Sequence, residues 1–437
     1  MLTSIQLTNF KSYRQARLDL APLTFLIGPN ASGKSNALEG IRLLNWLAKG
    51  KRLDDIERDI QGGDTVVRGQ ALDLFREDGE SFTLEAHLVD APEDWCDFSI
   101  TIDQIGDQLV VAGEQITHID QKVPLYRVDS EPNEHSDEIS IAYNNFMKGP
   151  SKPHIPCSNR QAVFYQLETP GRFQQKHPKA QKLIPEVART LRETLRNIAF
   201  LDPQPSQMRD YEYAGDKYLK ENGGNLSAVL YQLCQSPDSK QALLDFIRSL
   251  PEQDITDIQF IKTERQDVMV RLQESFGGRE RLIDAPLLSD GTLRVLAVGA
   301  ALLSAPEGAL LIIEEVDNGV HPSRADVLVR QIREVASQRQ LRVLMTSHNP
   351  ALLDALPNAA LADVLCCYRD PQQGDSRLLR LGDMERYSEL VAQGPLGQLM
   401  TRKVLERFLK DESSSDQRRA SALAWLEELK QDTESPK

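Results

Sequence analysis

The chain has 437 residues, 40% of them hydrophobic, and its 51 Lys and Arg against 65 Asp and Glu give a net charge of −14. That length can bury a large core, as one elaborated domain or two to three compact ones, and the acidic balance excludes a protein that coats nucleic acid over its whole surface. No uninterrupted apolar run reaches the length of a membrane span, and Met1-Leu2-Thr3-Ser4 lacks the charged and apolar regions of a secretion signal. The five cysteines, Cys96, Cys157, Cys234, Cys366 and Cys367, form no CxxC pair, so neither a zinc site nor a disulfide framework is expected. The expectation is a cytoplasmic protein with no membrane partner.

Charge is unevenly spread. Residues 51–150 carry 8 Lys and Arg against 23 Asp and Glu, whereas residues 150–200 carry 9 (Lys152, Arg160, Arg172, Lys176, Lys179, Lys182, Arg189, Arg192, Arg196) against Glu168, Glu186 and Glu193.

In chain order, Ile5, Leu7 and Phe10, then Leu18 and Leu20, predict an antiparallel strand pair. A buried strand over 23–27 follows, then a glycine-rich turn and an amphipathic helix over 36–47. Alternating segments at 66–74, 81–88, 98–102 and 108–111 predict a curved antiparallel sheet. Residues 112–160, broken by five prolines, read as loops with one short helix at 139–147. Helices are predicted over 179–198, 225–234 and 240–250, and short strands over 255–262, 267–273 and 279–283. A serine-glycine turn at 289–292 opens an apolar helix, and a buried strand 309–313 ends in Glu314-Glu315. A helix 323–339, a strand 341–346 and His348 come next, which is a parallel α/β alternation. Helices over 384–391, 396–408 and 418–429, the last with Trp425, make a tail.

The stretch 28–35 fits GxxxxGKS, and the strand before it and helix after it are the context such a phosphate loop needs. Asn30, Ala31, Ser32, Gly33, Lys34, Ser35 and Asn36 would cradle phosphates. Lys34 would reach the β- and γ-phosphates, and Ser35 would sit on Mg²⁺. Beside a triphosphate, Glu314 is assigned to magnesium and Glu315 to polarising the attacking water. His348, at the end of the next strand, can donate to the γ-phosphate.

In this order the motifs resemble the ATP-binding-cassette ATPases that are not transporters: RecF, the SMC heads and the OLD-like AAA family ATPases. Asn9-Phe10-Lys11-Ser12 opens the resemblance, 28–35 is its Walker A, and Leu288-Ser289-Asp290-Gly291-Thr292 its signature. Glu314-Glu315 is its Walker B, 317–322 its D-loop region and His348 its switch histidine. The segments 200–203 and 222–230 also look like parts of that group. The resemblance implies an α/β, ABC-type P-loop ATPase head, with a mixed sheet core plus an antiparallel β-subdomain, an inserted helical lobe and a short helical C-terminal tail. The expected divisions are a core over 1–150, a helical and signature lobe over 151–304, the rest of the core over 305–383 and a tail over 384–437.

The resemblance further implies ATP and Mg²⁺ as cofactors and ATP hydrolysis. Two copies would close head to head, with Ser289 and Gly291 of one chain against the triphosphate held by the other. Glu314 replaces the usual Walker B aspartate, and Gln70, Gln161 and Gln166 are all candidates for the Q-loop. Sustained heptads are lacking, which excludes a long coiled-coil arm. The stretch after His348 is too short for the TOPRIM domain of OLD nucleases, and Asp370, Asp375 and Asp383 read as loop and cap residues. By family analogy the leading expectation is a sensor or regulator in bacterial anti-phage defence, with an effector protein encoded nearby. The alternative is a RecF-like repair ATPase that clamps DNA through the basic stretch from Arg172 to Arg196. A transporter's energising subunit is a third reading, disfavoured by Asn9-Phe10-Lys11-Ser12.

Overall fold

The computed structural model describes residues 1–61, 66–77, 79–132, 136–149, 151–248, 254–315, 325–347 and 349–410. The expectations for His348, for 317–322 and for the helix around Trp425 lie outside the described residues.

β1 (Leu2–Phe10) and β2 (Tyr13–Asp19) form an antiparallel pair, followed by β3 (Leu23–Ile27), α1 (Lys34–Ala48) and the short α2 (Ile56–Gln61). An antiparallel run follows: β4 (Ser81–Leu88), β5 (Asp97–Ile105), β6 (Gln108–His118), β7 (Gln121–Val128), β8 (Glu138–Tyr143) and β9 (His154–Ser158). α3 (Val163–Gln166) and α4 (Pro178–Arg196) lead back to β10 (Ala199–Leu201). A lobe then contains β11 (Glu212–Tyr213), α5 (Leu226–Leu233), α6 (Pro237–Arg248), β12 (Ile255–Lys262), β13 (Asp267–Phe276) and β14 (Arg279–Asp284). The chain returns through α7 (Asp290–Ser304), β15 (Leu310–Ile313), α8 (Ala325–Gln338), β16 (Arg342–Thr346), α9 (Pro350–Asp354) and α10 (Asn358–Leu361). A hairpin of β17 (Leu365–Arg369) and β18 (Ser376–Arg380) precedes α11 (Tyr387–Ala392), α12 (Leu396–Thr401) and α13 (Val404–Lys410).

Among the described residues one 14-stranded sheet runs β10-β15-β16-β3-β17-β18-β2-β1-β4-β5-β6-β7-β8-β9. Its β10, β15, β16, β3 and β17 are mutually parallel. Strands in this part bury both faces, as parallel strands covered by helices do. On β15, Leu310 and Ile312 enter one core, beside α1 and α4, and Leu311 and Ile313 enter the other, beside α7 and α8. The antiparallel part alternates instead: β4 buries Phe82, Leu84, Ala86 and Leu88 and leaves the intervening residues part-exposed. That is the pattern of a sheet with one wet face. A smaller sheet of β11, β12, β13 and β14 lies in the lobe.

The α/β head with its mixed core, antiparallel subdomain and helical lobe is as expected. Three local expectations are corrected. The strand expected at 66–74 does not form: residues 66–70 are turns and bends, and Ala71–Leu74 make a 3-10 turn held by a capping box between Gln70 and Asp73. Residues 112–160 are not loops with a helix: β6 runs on to His118, and β7, β8 and β9 follow. Ile139, Ile141 and Tyr143 are buried on a strand, and Pro156 is tolerated because β9 is the sheet edge. The helix expected over 396–408 is two, α12 and α13, parted at Lys403 with its left-handed φ of 57°, while the stretch 365–380, where no element is expected, adds two strands to the core: β17 pairs with β3 and β18 with β2.

Candidate nucleotide site

The loop 28–33 connects β3 to α1, and the β17–β18 hairpin lies against it. Gly28 has φ 150° and Gly33 φ 118°. A Cβ on Gly28 would run into the Cys367 carbonyl, and one on Gly33 into the Ser376 side chain. Glycine is therefore required twice over, by backbone conformation and by space. The Tyr13 hydroxyl donates to the Gly33 carbonyl at 3.0 Å and lies 3.1 Å from Cys367 Sγ, which donates to the Ser32 carbonyl at 3.2 Å. Burial raises the Tyr13 phenol well above its ordinary range and raises the Cys367 thiol, so both stay neutral donors. Asn36 Nδ2 donates to Ser12 Oγ at 2.7 Å, and Ser376 Oγ to the same atom at 2.8 Å. Asn36 thus anchors α1 to the β1–β2 turn.

Asn30 and Ala31 are exposed at the loop's crest. Ser32 Oγ is buried without a hydrogen-bond partner among the described residues, an orphan that an anion's oxygen would not satisfy unless the hydroxyl turned to donate. Lys34 Nζ donates to the Gly28 and Pro29 carbonyls at 2.7 and 3.0 Å. Its pKa is lowered, chiefly by burial, with Cys367 and Glu315 opposing. The loop thus holds its lysine against its own carbonyls, within the field of Glu315.

β15 lies two strands from β3, across β16. Glu314 N donates to the Leu201 carbonyl at 2.8 Å, and Glu315 N to Thr346 Oγ1 at 3.0 Å. Glu315 adopts a left-handed φ of 48°, a costly conformation for a non-glycine residue and one concentrated at functional sites. Burial raises the pKa of Glu314. Arg42, whose Nη2 donates to Glu314 Oε1 at 2.7 Å, opposes the rise, and Asp202 and Glu221 add to it. The pKa of Asp202 is raised by burial and then by Glu315 and Glu221. Four carboxyls therefore crowd the end of the sheet, and one of them, Glu315, lies within the field of Lys34. A dication suits this donor set: the Ser35 hydroxyl and Glu314 offer hard oxygens, and the crowding is relieved by positive charge. Ser35 and Glu314 would hold Mg²⁺ here.

Ser289 is the N-cap of α7, accepting from Thr292 N at 3.1 Å, and is exposed. Arg209 fixes this corner: Nη1 donates to the carbonyls of Ala285, Pro286 and Leu288 at 3.3, 2.9 and 2.8 Å, and Nη2 pairs with Asp290. Among the described residues no hydrogen bond or ion pair joins Ser289 or Gly291 to the loop 28–35 or to the two glutamates.

Of the Q-loop candidates, Gln161 donates to the Gly50 carbonyl and Gln166 bonds both backbone groups of Ser158, whereas Gln70 is exposed in its capping box. The basic stretch is largely partnered: Arg192 pairs with Glu168 at 2.7 Å and Lys179 with Glu93 at 2.7 Å, and Glu186 and Glu193 share the exposed face of α4 with Lys182, Arg189 and Arg196. Asp370 accepts from Gln372 N and Gln373 N in a turn, Asp375 pairs with Arg76 and Asp383 with Arg380, the loop and cap roles expected of them. Sequence reasoning missed Arg42, Glu221 and Arg209, and gave Asp202 no role beyond its place in the 200–203 segment. Only Arg42 carried a signal, lying seven residues after Ser35 and so on the same face of the helix.

Two family models match the chain: one described as an AAA ATPase domain over residues 1–145, and one described as an AAA domain, putative AbiEii toxin, Type IV TA system, over residues 164–354. The DNA replication and repair protein RecF of Cyanothece sp. is 36% identical over 88 residues, 20% of this chain and 22% of that one. By these matches the chain is similar to AAA ATPase domains and, over a short stretch, to RecF. RecF of Gloeobacter violaceus is 44% identical over 62 residues, 14% of this chain and 16% of that one, so the matches span about a fifth of the RecF relatives' length. An SMC head bound to the C-terminal winged-helix domain of ScpA aligns over 86% of this chain and 97% of that chain, with a TM-score of 0.45 and 11% identity. Among the described residues no helix is long and apolar enough to cross a membrane.

Proposed function

We propose that this chain is an ABC-type ATPase that binds and hydrolyses ATP with Mg²⁺ and closes head to head with a second copy while ATP is bound. The observation that carries the reading is the convergence on one sheet end of a strained phosphate loop bearing Lys34 and Ser35 and a strand ending in Glu314 and Glu315. Lys34 binds the β- and γ-phosphates, Ser35 and Glu314 hold the ion, and Glu315 polarises the water; His348 senses the γ-phosphate. Residues 30–36 supply the phosphate cradle, and residues 1–150 and 305–383 share the nucleotide core. Ser289 and Gly291, at the exposed N-terminus of the 15-residue α7, serve the triphosphate of the partner copy. Glu315→Gln should trap the ATP-bound pair. If sizing with ATP and Mg²⁺ finds that variant no more associated than the nucleotide-free protein, the head-to-head reading fails.

The biological role proposed is that of a cytoplasmic sensor or regulator in bacterial anti-phage defence, acting through a separate effector. The description of the family matched over residues 164–354, a toxin of a toxin–antitoxin system, supports it. The RecF matches favour a second reading, DNA clamping in repair. The cationic groups for it are those α4 leaves exposed and outside the ion pairs above, Lys182, Arg189 and Arg196. Salt-dependent DNA binding that disappears on reversing Arg189 and Arg196 would support repair; no DNA binding with or without ATP would reject it.

A further inference from the structure

Arg42 lies two helical turns beyond Ser35, about 10 Å further along the axis of α1 on the same face. Its side chain is only 11% exposed, and its guanidinium carbon sits 4.1 Å from the centroid of the Phe200 ring. Nη1 and Nη2 donate to the two carboxylate oxygens of Glu221 at 2.8 and 2.6 Å, and Nη2 also donates to Glu314 Oε1 at 2.7 Å. One side chain thus joins the helix that begins with Lys34 and Ser35, the acid that ends β15, and the loop before α5.

That loop is firmly tied at both ends. Asp202 N donates to the Glu221 carbonyl at 2.9 Å and Gln204 N to the Asn222 carbonyl at 3.0 Å. The buried Asn225 accepts from Lys220 N at 2.8 Å and donates to Asp216 at 2.8 Å, directly ahead of α5. α5 packs on α7, whose first turn is capped by Ser289. A movement of Glu221 therefore has a short, well-packed route to the signature corner.

We propose that Arg42 is a positioning residue that trades Glu314 with the magnesium ion of a bound nucleotide. Without the ion it holds Glu314; the ion's arrival commits the guanidinium to Glu221 and re-seats the loop before α5. The proposal rests on the ATP and Mg²⁺ reading of the site. Its physical basis is that two cations on one carboxylate oxygen repel, and a dication outcompetes a guanidinium for a hard oxygen ligand. A guanidinium this buried still requires a carboxylate, and Glu221 already grips it by both oxygens.

The test is hydrogen–deuterium exchange on the full chain with and without saturating Mg²⁺ and a non-hydrolysable ATP analogue, together with Mg²⁺ titration of analogue binding. Wild type should change its exchange over residues 217–225 and in the first turn of α7. Arg42→Lys keeps the charge but loses the fork, and Glu221→Gln removes the second grip; both should lose that change. Arg42→Ala removes the competitor and should lower the Mg²⁺ needed for half-saturation about tenfold. Wild-type exchange responses in both Arg42→Lys and Glu221→Gln, or a higher Mg²⁺ requirement in Arg42→Ala, would overturn the proposal. Should Arg42→Ala not fold, Glu221→Gln decides alone. Failure of wild type to bind the analogue would instead refute the nucleotide reading beneath it.

Discussion

Lys34 Nζ donates to the carbonyl oxygen of Gly28 at 2.7 Å, so the loop's cation is engaged by the loop itself. Phosphate oxygens must take over from neutral carbonyls, and charge-assisted bonds favour that exchange. Lys34→Ala is expected to weaken ATP binding by about 10- to 100-fold, the value of one or two such bonds, while changing stability by less than about 1 kcal/mol. Titration with a fluorescent ATP analogue, alongside a melting curve, separates the two effects.

Gly33 combines φ 118° with a space already taken by Ser376. Gly33→Ala should cost about 1–3 kcal/mol in backbone strain alone and abolish analogue binding. Adding Ser376→Gly removes the hardest collision, leaving the Tyr13 hydroxyl at 3.0 Å, but not the strain. The double variant should therefore regain stability in urea titration without regaining full binding.

Arg209 is the donor to three carbonyls that precede Ser289. Arg209→Ala leaves them to find water and loosens the corner, with an expected loss of about 1–3 kcal/mol. ATP-dependent association, read by sizing, should weaken in this variant while monomer nucleotide binding persists. Unchanged association would show that the signature corner does not depend on this anchor.

Glu114 is fully buried between the Tyr126 hydroxyl and the backbone N–H groups of Val163 and Phe164, each at 2.6 Å. Burial raises its pKa from 4.5 to about 7, and those three donors oppose the rise. The folded state then binds more protons than the unfolded chain between those values, so stability falls as pH increases. The contribution is fully present below about pH 4.5 and is lost as pH rises through about 7, with a span on the order of 3 kcal/mol. Glu114→Gln should flatten that slope in denaturation curves taken from pH 5 to 8. An unaltered slope would place the titration elsewhere.

The phosphate loop and the signature turn were legible in sequence because each sits at a junction where local periodicity changes, strand to helix or loop to capped helix. Ser289 could be read as a helix start since capping is a property of four neighbouring residues. Arg42 could not be assigned a role, because its partners Glu221 and Glu314 lie 179 and 272 residues away and only the folded sheet brings them together. The strands β7, β8 and β9 were hidden by prolines that a sheet accepts near its edge. The β17–β18 hairpin was hidden by brevity: five residues each, with Asp, Gln and Gly between them, look like a loop until β3 is available to pair.

That hairpin also sets an order of events during synthesis. The glycine-rich loop leaves the ribosome early, but Cys367 and Ser376, which form its floor, are made more than 300 residues later. Until then β3 has an open edge on that side and the loop has no template for its shape, so a nascent chain cannot hold nucleotide in the mature manner. Premature termination after β16 would therefore yield a chain with every phosphate-loop residue and no phosphate site.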